Sequence, residues 1–215
     1  MTGTFITFEG PDGAGKTSVL QALIPKLKAQ SQVSLHLTRE PGGAKISEKI
    51  RDVILDPANT EMDARTEALL YAASRRQHLV EVIKPALAQG DIVICDRFVD
   101  SSVAYQGGGR RIGTQAVLQM NQFATAGLEP DLTIYLDVPV QVGLDRIAAH
   151  QHERQYDRLD QESLAFHERV HSAYMKLVEN NPKRIVTVDA TQPLASVVTA
   201  AQAVIKQRFS SLFRD

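Results

Sequence analysis

A chain of 215 residues, 43% hydrophobic and 23% charged, is long enough to bury one sizeable core. Its formal net charge of −1 gives no broad field for a polyanion, which argues against a polymeric nucleic acid or a membrane surface as partner. The one cysteine, Cys95, excludes an internal disulfide, and with no Cys/His cluster of zinc spacing it leaves no structural zinc site.

No leader with a basic and then an apolar region opens the chain, and no apolar run is long enough to span a bilayer. A cytoplasmic protein with one domain over residues 1–215 is the expectation.

Residues 4–8 are β-branched and aromatic and read as a first strand. Gly10-Pro11-Asp12-Gly13-Ala14-Gly15-Lys16-Thr17 follows, a full match to G-x-x-x-x-G-K-[ST], and from Ser18 the pattern becomes helical. A phosphate loop at a strand-to-helix turn folds its backbone N–H groups around an oxyanion at the positive end of the helix. Lys16 then reaches the β- and γ-phosphates, and the Thr17 hydroxyl is suited to Mg²⁺.

The first helix should run over about residues 16–28, with Pro25 kinking or ending it. Residues 33–38 alternate and form a second strand with His36 on its polar side. Arg39-Glu40-Pro41-Gly42-Gly43 then makes a tight turn at the strand's carboxyl end, which is either a solvated turn or part of the ligand edge of an open sheet.

Ile46, Ile50, Val53 and Ile54 mark a helix with Arg51 on its other face. A longer helix runs from Asp63 to Ile83, with an apolar stripe of Leu69, Leu70, Ala73, Leu79, Val82 and Ile83 and Pro85 near its end. Tyr71 and Arg75 fall one turn apart, either as a surface pair or as a wall against a ring.

Residues 91–95 suit a central parallel strand, in which Cys95 is a small core residue. The strand ends in Asp96 and Arg97, charges that need partners at the mouth of a buried element. Mg²⁺ and phosphate would supply them. A polar helical turn with Ser101 and Ser102 then opens into a loop of Gly107, Gly108 and Gly109 flanked by Arg110 and Arg111.

Strands over 132–138 and 185–188 and helices over about 114–126, 140–149, 160–180 and 194–213 complete the pattern. The alternation implies an α/β fold of three layers, five parallel strands with helices on both faces. The most polar stretch, within about 148–160, holds Arg154 and Arg158 and is either a mobile lid or a solvated connection. His150 and His152 have poor spacing for a metal and receive no role.

A phosphate loop also serves GTPases and motor ATPases, but no N-K-x-D guanine reader occurs, and Asp96 is followed by arginine where a motor carries a water-activating acid. A small-molecule acceptor fits better.

Five segments then carry a family resemblance. They are E-G-P-D-G-A-G-K-T at 9–17, T-R-E-P-G-G at 38–43, Y-A-A-S-R-R at 71–76, D-R-F-x-x-S-S-x-A-Y-Q-G at 96–107 and R-L-D-Q-E at 158–162. Together, in this order, they resemble the bacterial thymidylate kinases. The resemblance implies a P-loop nucleoside monophosphate kinase fold with a mobile lid, usually a homodimer, that moves the γ-phosphate of Mg-ATP to dTMP.

It also implies roles. Gly10 to Ser18 hold ATP, and Thr17 and Asp96 hold the metal. Arg97 clamps the dTMP phosphate, and Asp12 binds the sugar 3′-hydroxyl or the metal's water shell. Arg75 donates to a thymine carbonyl, Gln106 pairs with the N3 edge, and Tyr71 lies against the ring where relatives often carry phenylalanine. Tyr105 sits under the ribose and excludes a 2′-hydroxyl. Arg39, Glu40, Arg51, Ser101 and Ser102 complete the acceptor pocket. With Gly13 and Ala14 in the loop, the catalytic arginine is supplied from the lid by Arg154 or Arg158. The alternatives are another deoxynucleoside or nucleoside monophosphate kinase, or a non-catalytic module that reports nucleotide occupancy.

Overall fold

The computed structural model describes residues 3–149 and 158–214. Its strands are β1 (Thr4–Glu9), β2 (Leu35–Arg39), β3 (Ile92–Asp96), β4 (Leu132–Asp137) and β5 (Ile185–Asp189), all parallel in the order β2-β3-β1-β4-β5. The five-stranded α/β expectation is met. Near-continuous apolar runs suit the three central strands because both their faces are covered.

One face packs Ile6, Phe8, Ile94, Ile134 and Leu136 against α1 (Lys16–Gln30) and α9 (Leu194–Arg208) through Val19, Leu23, Leu27, Val198 and Ile205. Leu23 and Leu27 are wholly buried, so Leu→Ala at either should cost about 2–5 kcal/mol. The other face packs Phe5, Val93 and Cys95 against Leu79, Ile83, Leu87 and Phe98. Cys95 is a core residue, as read, and its burial pushes the thiol well above the ordinary range.

Several local expectations need correction. α1 continues through Pro25 to Gln30, because Pro25 lies on the exposed side, where water can satisfy the carbonyl it leaves unpaired. The long helix does not end at Ile83. α2 (Lys45–Leu55) is followed by α3 (Ala64–His78), a π-helical segment (Leu79–Ile83) and α4 (Lys84–Ala88), and Pro85 falls in the first turn of α4, where its missing N–H is tolerated. Leu69 and Ala73 of the expected stripe face outwards, and α3 buries Glu67, Ala68, Ala72, Ser74, Arg75 and His78 instead.

The three glycines do not form a loop. α5 (Val99–Ser102) runs into a π-helical segment (Val103–Gly109). α6 (Thr114–Thr125), α7 (Val140–Ala149) and α8 (Leu164–Asn180) complete the helices. A β-carbon on Gly108 would lie 2.6 Å from that of Ala173, and one on Gly109 would lie 2.7 Å from Phe166. The glycines therefore admit α8 to close contact, bringing Tyr174 and Phe166 beside Tyr105.

Candidate active site

Parallel register brings the functional residues to one edge. Phe8 of β1 and Arg39 of β2 both stand level with Asp96 of β3, so the ends of these strands open on a common groove. The phosphate loop leaves β1 there. Gly13 and Gly15 adopt φ of 76° and 82°, and a β-carbon on Gly13 would meet the Gly143 carbonyl oxygen at 2.1 Å. The loop is thus braced on α7, and its N–H groups gather at the N-terminus of α1.

Lys16 donates to the carbonyls of Gly10 and Pro11, each at 3.0 Å. Burial and the neighbouring Arg97 push its pKa down to about 8.

Arg97 follows β3 with φ of 69°, a left-handed backbone unusual for a side chain of this size. Its N–H holds Phe8 O at 2.9 Å and its carbonyl accepts from Cys95 Sγ at 3.1 Å. The guanidinium lies 5.0 Å above the Tyr105 ring and donates to Asp12 at 2.6 Å, and to Gly10 O and Ser101 Oγ at 3.1 Å each. Burial raises the Asp12 pKa, but Arg97 and Lys16 outweigh it and hold the carboxyl below its usual value.

Two adjoining cavities open here, of about 110 and 550 Å³. The smaller takes Tyr71, Arg75, Ser101, Ser102, Tyr105 and Gln106 into its wall; the larger takes Gly13, Gly15, Lys16, Thr17, Ser18, Arg39 and Asp96. Asp12, Glu40, Arg51 and Arg97 line both. Tyr71 and Arg75 therefore form a pocket wall, and not a surface pair. Arg76 points elsewhere, 3.4 Å from Ala124 O. Arg51 caps Pro41 O at 2.9 Å, and Arg39 reaches Pro41 O at 2.9 Å and Glu48 at 3.1 Å.

Arg75 is almost wholly buried, which requires that its charge be matched. It donates to Glu40 at 2.7 Å, Ser102 Oγ at 3.0 Å, Phe98 O at 2.9 Å and Asn121 Oδ1. Glu40 also meets His78 Nδ1 at 3.0 Å, and His78 Nε2 meets Thr38 Oγ1 at 2.6 Å. Glu40, His78 and Cys95 come close enough to suggest a metal cluster, but these bonds occupy both carboxylate oxygens and both ring nitrogens.

For Mg²⁺ the donor set fits. Asp96 Oδ1 is buried with no hydrogen-bond partner among the described residues, while Thr17 is exposed at the head of α1.

The two arginines expected in a lid fare differently. Arg154 lies outside the described residues, as do His150, His152 and most of the expected lid. Arg158 is buried and donates to Ile54 O at 3.0 Å and to Glu67, so here it serves a carboxylate on α3 instead of a phosphate.

Sequence reasoning missed several groups. Glu9, wholly buried, accepts from Phe98 N–H at 2.7 Å, Ser101 Oγ at 2.5 Å and Tyr174 at 2.9 Å, and supports the floor under Arg97. Burial, then the nearby Asp100, raises its pKa to about 7. Glu67 and Asn121 accept from Gln106 and Arg75, which line the smaller cavity, and are not themselves part of its lining. Arg146 of α7 stands over the loop, donating to Gly13 O at 3.4 Å and Ala190 O at 3.0 Å. Only Glu9 carried a usable signal, an acid ending an apolar strand.

Asp12, Glu40, Arg51 and Arg97 sit where the two cavities meet, so groups bound in the two would face each other across Arg97. A phosphate loop so arranged on a parallel sheet defines a P-loop phosphotransferase with a small-molecule acceptor. The family model described as Thymidylate kinase matches residues 8–201. The chain is 80% identical to the thymidylate kinase of Lacticaseibacillus casei over 99% of this chain and 100% of that protein. It is 62% identical to that of Latilactobacillus sakei, over 99% of each chain, and 58% identical to that of Enterococcus faecalis, over 99% of this chain and 100% of that one. The chain belongs to the thymidylate kinase family.

Proposed function

We propose that this chain transfers the γ-phosphate of ATP to dTMP, giving dTDP and ADP. The observation that carries the reading is the lining of the smaller cavity by Tyr71, Arg75, Tyr105 and Gln106, with Arg97 at its junction with the phosphate loop.

Residues Gly10 to Ser18 wrap the ATP phosphates, with Lys16 leaving the Gly10 and Pro11 carbonyls for the β- and γ-oxygens. A further cavity of about 230 Å³ beside Ala14, Ser18, Arg146 and Gln192 suits the adenosine end. Thr17 and Asp96 would hold Mg²⁺, which when bound neutralises charge on the β- and γ-phosphates. Arg97 grips the acceptor phosphate in line with the donor, and Asp12, already its partner, keeps it aimed and accepts from the sugar hydroxyl.

Tyr71 lies against the base, Arg75 faces a carbonyl and Gln106 the N3 edge. Tyr105 under the ribose leaves no room for a 2′-hydroxyl. Arg39, Glu40, Arg51, Ser101 and Ser102 complete the wall. Residues 148–160 close as a lid on a single domain, and an arginine from it supplies charge to the transferring group. That is Arg154, or Arg158 once released from Glu67.

Among the described residues no helix is long and apolar enough to cross a membrane; work in the cytoplasm is part of the proposal. Leu69, Val80 and Phe123, exposed on neighbouring helical elements, support a homodimer.

Incubation with Mg-ATP and each of dTMP, dUMP, dCMP, dAMP, dGMP, UMP and thymidine tests the assignment. dTMP should be the preferred acceptor. Preference for another acceptor would move the chain to a different kinase, and transfer to none would leave a nucleotide-reporting module.

A further inference from the structure

Glu67, Tyr71 and Arg75 occupy successive turns on one face of α3. The last two line the acceptor cavity, whereas Glu67 stands behind it, wholly buried. Its carboxylate accepts from Gln106 Nε2 at 2.8 Å, from Arg110 Nη2 at 2.9 Å and from Arg158. Burial pushes its pKa up, but Arg110, Gln106 and Arg158 outweigh this and hold it below the ordinary glutamate value, so it is ionised at neutral pH.

An ionised carboxylate only accepts. The Gln106 amide is therefore committed in one sense, with its NH₂ turned to Glu67 and its oxygen on the opposite side of a planar group. Reversal would set amide oxygen against carboxylate oxygen inside the protein and strand both acceptors. Gln106 is itself buried and lines the acceptor cavity, so the oxygen is the atom it offers there.

We infer that Glu67 is a positioning residue for base selection: by capturing the Gln106 amide nitrogen it fixes an acceptor in the pocket, which suits a pyrimidine with a ring N–H and disfavours one with a ring lone pair. Thymine and uracil carry that N–H at N3 and cytosine does not. Arg110 and Arg158 neutralise the carboxylate without touching the base. The inference rests on the nucleotide reading of the cavity.

The test measures kcat/KM for dTMP and dCMP in wild type, Glu67→Gln, Glu67→Asp, Gln106→Leu and the double variant Glu67→Gln/Gln106→Leu. dCMP is read as an alternative substrate and as a competitive inhibitor. A glutamine at position 67 can face Gln106 with either end, so the dTMP-to-dCMP ratio should shrink at least ~10-fold, mainly through the dTMP KM, while the ATP KM stays within ~3-fold. Glu67→Asp keeps the charge that Arg110 and Arg158 need and withdraws the acceptor by one methylene. It should shift the ratio the same way, and it reads the inference if the glutamine variant is lost to misfolding. In the Gln106→Leu background, Glu67→Gln should leave the ratio unchanged.

Equal losses for both nucleotides, with the ratio intact, would make Glu67 a structural support only and overturn the inference. So would a change in ratio that persists without Gln106. Wild type that phosphorylates no nucleotide would instead sink the parent assignment.

Discussion

Arg97 donates to Asp12 at 2.6 Å and so ties the end of β3 to the phosphate loop across the groove. The Tyr105 ring beneath it and Gly10 O and Ser101 Oγ beside it complete a seat in which the guanidinium is ordered before any acceptor arrives. Lysine brings its three donors to a single nitrogen, whereas Arg97 spreads its contacts over two, holding Asp12 with Nη2 and Gly10 O and Ser101 Oγ with Nη1. Arg97→Lys should therefore lower kcat/KM for dTMP by at least ~10²-fold with the ATP KM within ~3-fold. Steady-state kinetics with both substrates varied decides it, and a loss confined to ATP would assign Arg97 to the donor.

Glu9 gives a pH dependence whose sign can be worked out. An ordinary glutamate titrates near 4.5, and burial raises Glu9 to about 7, so between these values the folded chain keeps a proton that the unfolded chain releases. Its contribution to stability is full below pH 4.5 and is lost as pH rises through 7. Glu9→Gln removes the buried charge and retains an oxygen for Phe98 N–H, while the Ser101 and Tyr174 hydroxyls can turn to accept from its NH₂. The variant should gain about 1–3 kcal/mol relative to wild type between pH 4.5 and pH 8. Urea unfolding at the two pH values measures this, and a pH-independent difference would contradict it.

Most of the fold was legible because alternating β-branched runs and helical stripes report burial directly, and a full phosphate-loop motif fixes one strand-to-helix turn. The failures share a cause. Sequence alone treats glycine as a loop former and large apolar residues as core, yet Gly108 and Gly109 are helical because α8 packs on them, and Leu69 is exposed while Arg75 is buried. Tertiary partners decide such cases. The same holds for Glu67, Asn121 and Arg146, whose roles arise from groups distant in sequence that no local pattern marks. The sequence marked Tyr71, Arg75, Tyr105 and Gln106, which line the smaller cavity, and did not mark the groups that hydrogen-bond to them from behind.

Phe123 is 90% exposed on α6 and Leu69 is 59% exposed on α3, which packs between α6 and α2. An aromatic ring so presented, with an exposed leucine on the helix packed beside its own, suits the interface of the proposed homodimer, in which each copy contributes the same patch. Phe123→Glu places like charges together there and should convert a dimer to a monomer without lowering the unfolding temperature of the isolated chain. Sedimentation velocity on both proteins checks this, and a wild-type monomer would remove the proposal.

Arg158 is committed to Glu67 and Ile54 O, so the two arginines of the proposed lid should respond differently to truncation. If Arg154 brings the charge that meets the transferring group, Arg154→Ala should lower kcat by at least ~10²-fold and leave dTMP affinity within a few-fold, because that charge is needed only as the transition state forms. Arg158→Ala removes one of the cations that balance Glu67, which should raise the dTMP KM through Gln106. If Arg158 also leaves Glu67 to serve the phosphates, its kcat will fall alongside. Initial rates with dTMP varied at saturating Mg-ATP, together with dTMP binding measured by calorimetry, separate the two effects. Near-wild-type turnover in both variants would mean that the lid supplies no catalytic arginine.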